Sequence, residues 1–178
     1  MNKVAILLAG SGVFDGSEIN EVVFTLLALS KHNIEYQCYA PNKNQYHVID
    51  HFNNKENNDN LNGTRNILEE SARIARGDVK PLNDLNIDDI SSVIIPGGFG
   101  VAKNFCDYAL KGSDFTIDQN IKNILIECNK QNRYIGAICI SPVILAKLFS
   151  DKNPILTVGN EKNCQDCLSS LTKNYQIT

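Results

Sequence analysis

The strongest constraint on the fold is a set of short apolar runs that each stop at a turn containing glycine or proline. Residues 4–9 form one such run before two glycines, and residues 92–95 form another before a proline and two glycines. Runs of this length, roughly four to eight residues, are typical of strands buried on both faces. Segments with helical spacing lie between them, which predicts right-handed crossovers and a parallel sheet.

The same alternation continues along the chain. The predicted strands are residues 4–9, 34–40, 92–95, 133–139 and 155–158, and residues 175–178 resemble the start of another. The predicted helices are residues 17–33, 64–76, 101–110, 118–131, 142–149 and 164–171, with Ser17 and Thr64 as N-caps and Gly77 as a stop. This pattern predicts an α/β layered fold with a mostly parallel central sheet.

One segment departs from the alternation. Six of the fourteen residues from 50 to 63 are asparagine, and most of the others are polar. This composition predicts a solvated loop, with a short extended piece at residues 47–49 before it.

Size and charge exclude several classes of protein. The 178 residues favour a single domain, and 43% hydrophobic against 21% charged residues exclude a disordered chain. A net charge of −3 and a pI near 5.6 argue against binding to nucleic acid by phosphate neutralisation. No apolar run approaches the roughly 20 residues that span a bilayer, and no signal peptide is expected. The six cysteines are therefore expected as free thiols in the cytoplasm.

The most informative turn follows the predicted strand that ends at residue 138. Cys139 lies between this strand and a helix that starts at Pro142, a residue suited to the first turn of a helix. Such a turn presents the nucleophile of many hydrolases, although their Gly-x-Ser-x-Gly pattern is absent here. A helix N-terminus favours the thiolate, so one interpretation is an exposed, acidified cysteine. A cysteine packed between strand and helix is the other interpretation.

The glycine-rich turn at residues 96–100 is expected beside Cys139, because the carboxyl ends of parallel strands share one edge. Glycine lets a backbone approach a ligand closely and direct its N–H groups at an oxyanion. We predict that the N–H groups of Gly98 and Ile140 form an oxyanion hole. A plain turn is the alternative.

A thiol nucleophile needs a proton acceptor. Three histidines precede the cysteine: His32, His47 and His51. The last two flank the polar segment and would reach the site only if that segment folds over it. Glu18 and Glu21 lie on one face of the first predicted helix, at the same rim as Cys139. A carboxylate there can share a proton with a thiol, while the alternative is an ordinary acid in the first turn of a helix.

Two further motifs carry little weight. Residues 10–16 resemble a dinucleotide fingerprint, but its last glycine is one position late and no ribose-binding acid follows the second strand. Cys164 and Cys167 form a lone Cys-x-x-Cys pair, whereas a zinc site needs four ligands. We therefore predict neither a nucleotide cofactor nor a metal.

Several segments, in this order, carry a family resemblance: residues 8–19, 64–66, 75–77, 96–104, 139–142 and 156–159. In them the chain resembles the enhancing-lycopene-biosynthesis protein family, the ElbB-type glyoxalases. This family belongs to the class I glutamine amidotransferase-like superfamily, which includes the PfpI-type proteins. The resemblance runs from residue 4 to residue 159, and the Gly-Gly-Phe-Gly and Asp-Gly-Ser-Glu segments are highly specific.

The resemblance implies one domain, residues 1–178, folded as a flavodoxin-like three-layer sandwich. It implies weak, cofactor-independent conversion of glyoxal, a small aldehyde, into glycolate. Cys139 would be the nucleophile and Glu21, with Glu18 close behind, the acid. The oxyanion and substrate-binding residues would be Gly97, Gly98, Ile140, Gly12 and Asn104. A link to isoprenoid biosynthesis, a homodimer, and a chain that stops short of the family's usual end belong to the same expectation.

Two other functions use the same cysteine. A redox sensor would oxidise at Cys139 without turning over a substrate. A glutaminase subunit of an amidotransferase would need a histidine after the cysteine, and the sequence has none there. The elbow together with the carboxylates at the rim favours the aldehyde-processing enzyme.

Overall fold

Strands and helices alternate along the described chain. The computed structural model describes residues 3–53, 55–56, 64–159, 162–172 and 175–177. The strands are β1 (Val4–Leu7), β2 (Tyr36–Ala40), β3 (Ile49–Asp50), β4 (Lys55–Glu56), β5 (Val79–Pro81), β6 (Ser92–Ile95), β7 (Tyr134–Ala137), β8 (Leu156–Val158) and β9 (Tyr175–Ile177). The α-helices are α1 (Ile19–Lys31), α2 (Ile67–Ala75), α3 (Tyr108–Lys111), α4 (Gln119–Lys130), α5 (Pro142–Leu148) and α6 (Lys162–Leu171).

Five strands form one all-parallel sheet in the order β5-β2-β1-β6-β7. In the centre, Ile6 of β1 pairs with Cys38 of β2 on one side and with Ile94 of β6 on the other. The strand order therefore reverses direction beside β1. Ligands bind outside the carboxyl ends of the strands at such a switch point.

Helices cover both faces of this sheet, which makes three layers. Val4 and Ile6 belong to a buried cluster that α1 and α2 complete, whereas Ala5 and Leu7 belong to a cluster that α4 and α5 complete. Successive side chains of a strand point to opposite faces, so a strand between two layers is apolar throughout. The predicted α/β flavodoxin-like sandwich is confirmed, and its central sheet is entirely parallel.

Two predicted helix caps are wrong by one or two residues. Glu18, not Ser17, caps α1. The Ser17 hydroxyl is buried and accepts a hydrogen bond from the Ala9 N–H at 2.8 Å, so it fixes the chain after β1 instead. At α2 the cap is Asn66 rather than Thr64.

The helix predicted at residues 101–110 consists of two pieces. A π-helical turn spans Val101–Phe105, and α3 adds a single turn after it. Cys106 between them is extended and bridges to Ile117, which interrupts the helix.

Three strands, β3, β4 and β5, differ from the sequence prediction. The edge strand β5 is short, contains Pro81 and shows no apolar alternation, so the sequence carries no sign of it. β3 and β4 form an antiparallel pair within the segment predicted as a loop, while residues 54 and 57–63 of that segment lie outside the described residues. β9 pairs in parallel with β8 in a separate two-stranded sheet, so the predicted last strand has a partner.

Candidate active site

Three turns meet at the carboxyl edge of the sheet, after β1, β6 and β7. The Glu18 N–H donates to the Gly97 carbonyl at 2.9 Å, which ties the start of α1 to the turn after β6. The Ser141 hydroxyl donates to the Pro96 carbonyl at 2.9 Å, which ties the start of α5 to the same turn. The turn after β6 therefore lies between the start of α1 and the turn after β7.

Cys139 occupies a strained turn between β7 and α5. Its φ is +58°, in the left-handed region that residues other than glycine rarely adopt. The residue is exposed. A nucleophile held at a strained strand-to-helix turn is the geometry of an elbow, and strain of this kind clusters at functional sites. The structure thus agrees with the exposed interpretation of Cys139 and not with the buried one.

Two backbone N–H groups hydrogen-bond to the Cys139 sulfur. They belong to Gly98 and Ile140, the two donors that the sequence predicts for an oxyanion hole. Gly98 has a φ of +98°, which glycine adopts without the penalty that a side chain would bring. The turns after β6 and β7 thus each direct one N–H at the same atom.

Glu21 of α1 also contacts the thiol. Its Oε2 accepts a hydrogen bond from the Gly97 N–H at 2.6 Å, and its carboxylate hydrogen-bonds to Cys139. A Cβ on Gly97 would lie 2.6 Å from the Cys139 Cβ and 2.8 Å from the Glu21 Oε2. The absence of a side chain at Gly97 therefore lets the cysteine and the carboxylate approach each other.

The pKa of the Cys139 thiol lies above its ordinary value. Partial desolvation of the sulfur is the largest cause, and the Glu21 carboxylate raises the pKa further through its charge and its hydrogen bond. The N–H groups of Ile140 and Gly98 act in the opposite direction but are outweighed. The start of α5 therefore acts on the thiol in the expected direction, through the Ile140 N–H, but the net change in the pKa is upward. The Glu21 carboxylate is in position to accept the thiol proton.

Glu18 is used differently from Glu21. Its carboxylate accepts hydrogen bonds from the Glu21 N–H at 2.7 Å and from the Asn20 side-chain amide at 3.2 Å. These bonds fix the first turn of α1, as expected of an N-cap. Of the two carboxylates that the sequence left open, the structure brings Glu21 to the sulfur and uses Glu18 to hold the helix start.

Gly12 and Asn104 make their hydrogen bonds at the end of β1. The Gly12 N–H donates to a carbonyl within its own turn at 2.9 Å. The buried Asn104 amide donates to the carbonyls of Ala9 and Asp15 at 3.1 and 3.3 Å, and its oxygen accepts from the Tyr46 N–H at 2.9 Å. These groups are therefore used within the protein, and a substrate-binding role for Gly12 and Asn104 stays a prediction.

The histidines make their contacts elsewhere. His51 stacks on Phe14 with ring centroids 5.1 Å apart, and His47 stacks on Tyr46 at 4.5 Å. His32 ends α1 as its C-cap. None of these contacts involves the elbow, so the carboxylate of α1 is the general base that the geometry offers.

The other cysteines with described side chains are buried: Cys38, Cys106, Cys128 and Cys167. Burial raises the pKa of Cys38 and Cys106 to about 12 and that of Cys128 to about 11. Such thiols stay protonated and inert. The Cys164 side chain lies outside the described part of the structure, and within that part no three metal-ligating side chains form a cluster.

Sequence reasoning missed a cavity beside the elbow. It has a volume of about 360 Å³, and its walls come from the turns after β6 and β7, from α3 and from α6. Phe99 and Ile140 of those two turns line it, together with Tyr108 and Cys167. No motif signals this cavity, because its walls come from segments far apart in the sequence.

The sheet and its helices define a flavodoxin-like α/β protein of the kind found in DJ-1, ThiJ and PfpI proteins. A ThiJ/PfpI domain protein from Brachyspira murdochii aligns with a TM-score of 0.57 over 98% of this chain and 78% of that chain, at 11% identity. A likeness at that identity concerns the fold alone.

A more similar structure shows the family. The isoprenoid biosynthesis protein with an amidotransferase-like domain from Ehrlichia chaffeensis is 36% identical, with a TM-score of 0.86 over 100% of this chain and 79% of that chain. The present chain belongs to the same family of amidotransferase-like proteins.

A curated human relative agrees with this assignment. The mitochondrial glutamine amidotransferase-like class 1 domain-containing protein 3 of Homo sapiens is 39% identical over 160 residues, which are 90% of this chain and 58% of that protein. The chain thus spans less than two thirds of the length of that curated relative. No protein-family model matches the sequence.

Proposed function

We propose that the protein is a cofactor-independent glyoxalase-type enzyme of the ElbB type, which converts glyoxal into glycolate through Cys139. The observation that carries this proposal is the set of contacts around one sulfur. An exposed thiol at a strained turn hydrogen-bonds to the Glu21 carboxylate and to the N–H groups of Gly98 and Ile140. A nucleophile, a base and two oxyanion donors thereby converge at one point.

The first step is addition of the thiol to one aldehyde carbon of glyoxal. The sulfur forms a bond to that carbon while Glu21, which hydrogen-bonds to the thiol, takes its proton. The electron pair of the C=O bond moves onto oxygen, where the N–H groups of Gly98 and Ile140 stabilise the negative charge. The oxygen then takes a proton and a hemithioacetal results.

The second step moves hydrogen between the two carbons. Glu21 removes the C–H proton of the hemithioacetal carbon and returns a proton to the neighbouring carbon, which gives a hydroxy-thioester. One carbon is oxidised and the other reduced, so the step needs no external oxidant or cofactor. Water then attacks the thioester and releases glycolate, and the cysteine regains its proton.

The proposal extends to cellular role, assembly and location. The Ehrlichia chaffeensis relative is described as an isoprenoid biosynthesis protein, which supports a link to that metabolism for this chain. The homodimer stays a prediction. No helix among the described residues has the length and apolar character needed to cross a membrane. The human relative is named as mitochondrial, so the cytoplasmic location stays a prediction as well.

The competing redox-sensor function fits the site less well. Oxidation of cysteine by peroxide follows thiolate character and exposure together. Cys139 is exposed, but the Glu21 carboxylate raises the pKa of its thiol, which disfavours the thiolate. The same carboxylate that serves a proton-transfer mechanism therefore slows the chemistry of a sensor.

The experiment that tests the proposed function measures glycolate formation from glyoxal by Cys139→Ala and by the matched control Cys128→Ala. We expect Cys139→Ala to lose activity by about 100-fold or more, because the covalent step has no nucleophile. Cys128 is a buried residue of α4 that faces the core, so Cys128→Ala is expected to keep its turnover per folded molecule. Full activity in Cys139→Ala would refute the mechanism.

A further inference from the structure

The cavity beside the elbow has its own built walls. Its volume is about 360 Å³, and six of its lining residues are Phe99, Tyr108, Leu110, Ile140, Asp166 and Cys167. Ile140, Tyr108 and Cys167 are 9% exposed or less, so they form a buried apolar floor. Phe99 and Leu110 are each 43% exposed and leave apolar surface uncovered. The cavity therefore offers an apolar floor and two apolar side chains that a ligand would cover.

This cavity adjoins the two oxyanion donors. Ile140 donates its N–H to the Cys139 sulfur and also lines the cavity. Phe99, another lining residue, directly follows Gly98, the second donor. One donor residue, Ile140, thus lines the cavity, and the other, Gly98, directly precedes a residue that does. A substrate whose carbonyl oxygen these N–H groups hold can extend its adjoining part toward the opening.

The size of the cavity exceeds what glyoxal needs. A cavity of roughly 150 Å³ is enough to hold a benzene molecule. The space here, about 360 Å³, therefore accommodates a phenyl ring with room left over. Its buried floor disfavours an anionic substituent, because a charge there leaves water and the Asp166 carboxylate in the wall repels it.

We propose that this cavity is the subsite for the substituent of a 2-oxoaldehyde whose ketone carbon carries a neutral apolar group of about the size of a phenyl ring. The inference rests on the proposed function and names its substrate class. The thiol of Cys139 adds to the aldehyde carbon, and hydrogen moves from that carbon to the ketone carbon that bears the group. The aldehyde carbon is oxidised to a thioester while the ketone is reduced to an alcohol, and water releases the 2-hydroxy acid.

The test compares kcat/KM for phenylglyoxal and for glyoxal in the wild type and in Ala109→Phe. Ala109 lines the cavity from α3, is exposed and is not a residue to which the mechanism gives a role. We expect the wild type to prefer phenylglyoxal by roughly tenfold or more, because the ring buries apolar surface. Ala109→Phe should remove that preference and change the value for glyoxal by less than about twofold. Ala28→Phe on exposed α1 is the matched control and should keep the preference.

The outcomes separate the inference from the function on which it rests. Turnover that depends on Cys139 but shows no preference for phenylglyoxal, or a preference that survives Ala109→Phe, overturns the cavity assignment alone. Turnover that survives Cys139→Ala, or no turnover of either aldehyde, overturns the proposed function.

If turnover survives Cys139→Ala, or if neither aldehyde is turned over, a binding experiment tests the cavity assignment. Mandelate, the product expected from phenylglyoxal, is offered to Cys139→Ala and to the double variant Cys139→Ala, Ala109→Phe. We expect saturation-transfer NMR signals from its phenyl protons in the first protein and their loss in the second. Absence of these signals in Cys139→Ala, or their persistence in the double variant, overturns the subsite.

Discussion

The two ends of the carboxyl edge of the sheet use polar side chains in opposite ways. At the end near β1 and β2, Asn104 is buried and makes three hydrogen bonds to backbone groups of the surrounding loops. At the end near β6 and β7, Cys139 is exposed on a strained turn, beside Glu21. The first arrangement uses its polar groups to hold loops together. The second holds a nucleophile and a base at the surface.

The difference shows that residue type and rim position do not by themselves mark a functional group. Asn104 and Gly12 belong to the segments that carry the family resemblance, yet their hydrogen bonds are made within the protein. Cys139 is set apart by its exposure and its φ of +58°, and Glu21 by its contact with the thiol. Exposure, backbone strain and the contact between thiol and carboxylate all depend on packing. Variants at the two ends of the sheet edge can test them.

Among the variants that compare the two ends of this edge, the greatest loss is expected from Gly97→Ala. The new methyl group would lie 2.6 Å from the Cys139 Cβ and 2.8 Å from the Glu21 Oε2, so it must push the nucleophile and the base apart. Because misplacement by about 1 Å can cost about 100-fold in rate, we expect a loss of glyoxal turnover of about that size. Glycolate assays on purified, folded protein measure it.

The control for that variant is Gly159→Ala. A Cβ on Gly159 meets no atom of the described residues within 4 Å, so the same change of residue type should leave turnover unaltered. Wild-type activity in Gly97→Ala would contradict the close packing of the elbow and show that the base acts from another position.

A smaller effect, on stability rather than on chemistry, is expected from Asn104→Ala. The change removes the partners of two carbonyls and one N–H at the end of β1. Buried polar groups without partners destabilise a fold, so the free energy of unfolding should fall by about 2–4 kcal/mol. Urea denaturation measures this fall. The exposed Asn120→Ala is the control and should stay within about 0.5 kcal/mol of the wild type.

This variant also sharpens the comparison of the two ends. Turnover per folded molecule should change little in Asn104→Ala if that end serves structure alone. A large loss of turnover without loss of stability would instead place Asn104 in substrate binding, as the sequence predicts.

The smallest expected effect is on the pKa of the Cys139 thiol and on its rate of alkylation. The Glu21 carboxylate raises the pKa of Cys139, so Glu21→Gln removes a negative charge and should lower that pKa. A lower pKa means more thiolate at a given pH below it. Alkylation by iodoacetamide at pH 8 should therefore become about threefold faster or more, while glyoxal turnover falls for lack of a base.

Rates of alkylation measured across pH give the midpoint of the titration directly. The midpoint should move down in Glu21→Gln and stay in place in Glu18→Gln, whose carboxylate bonds to the start of α1 instead. An unchanged or higher midpoint in Glu21→Gln would contradict the contact between carboxylate and thiol.

Local patterns in the amino-acid sequence predict much of this molecule. The buried strands, the parallel sheet and the turn at Cys139 follow from them, because a short apolar run and the turn after it are decided by neighbouring residues. The pairing of Gly98 and Ile140 also follows, since adjacent strand ends share an edge. The short edge strand at 79–81 escapes prediction because it has no alternating pattern.

The order of residues alone sets the framework: which segments lie in the sheet, and that one cysteine follows a strand and precedes a helix. Folding then decides how that cysteine behaves. Packing selects Glu21 over Glu18, raises the pKa of the thiol instead of lowering it, and opens a cavity between α3 and α6. Strands and turns arise from residues adjacent in the chain, whereas desolvation, charge and cavity walls depend on atoms that only the folded chain brings together.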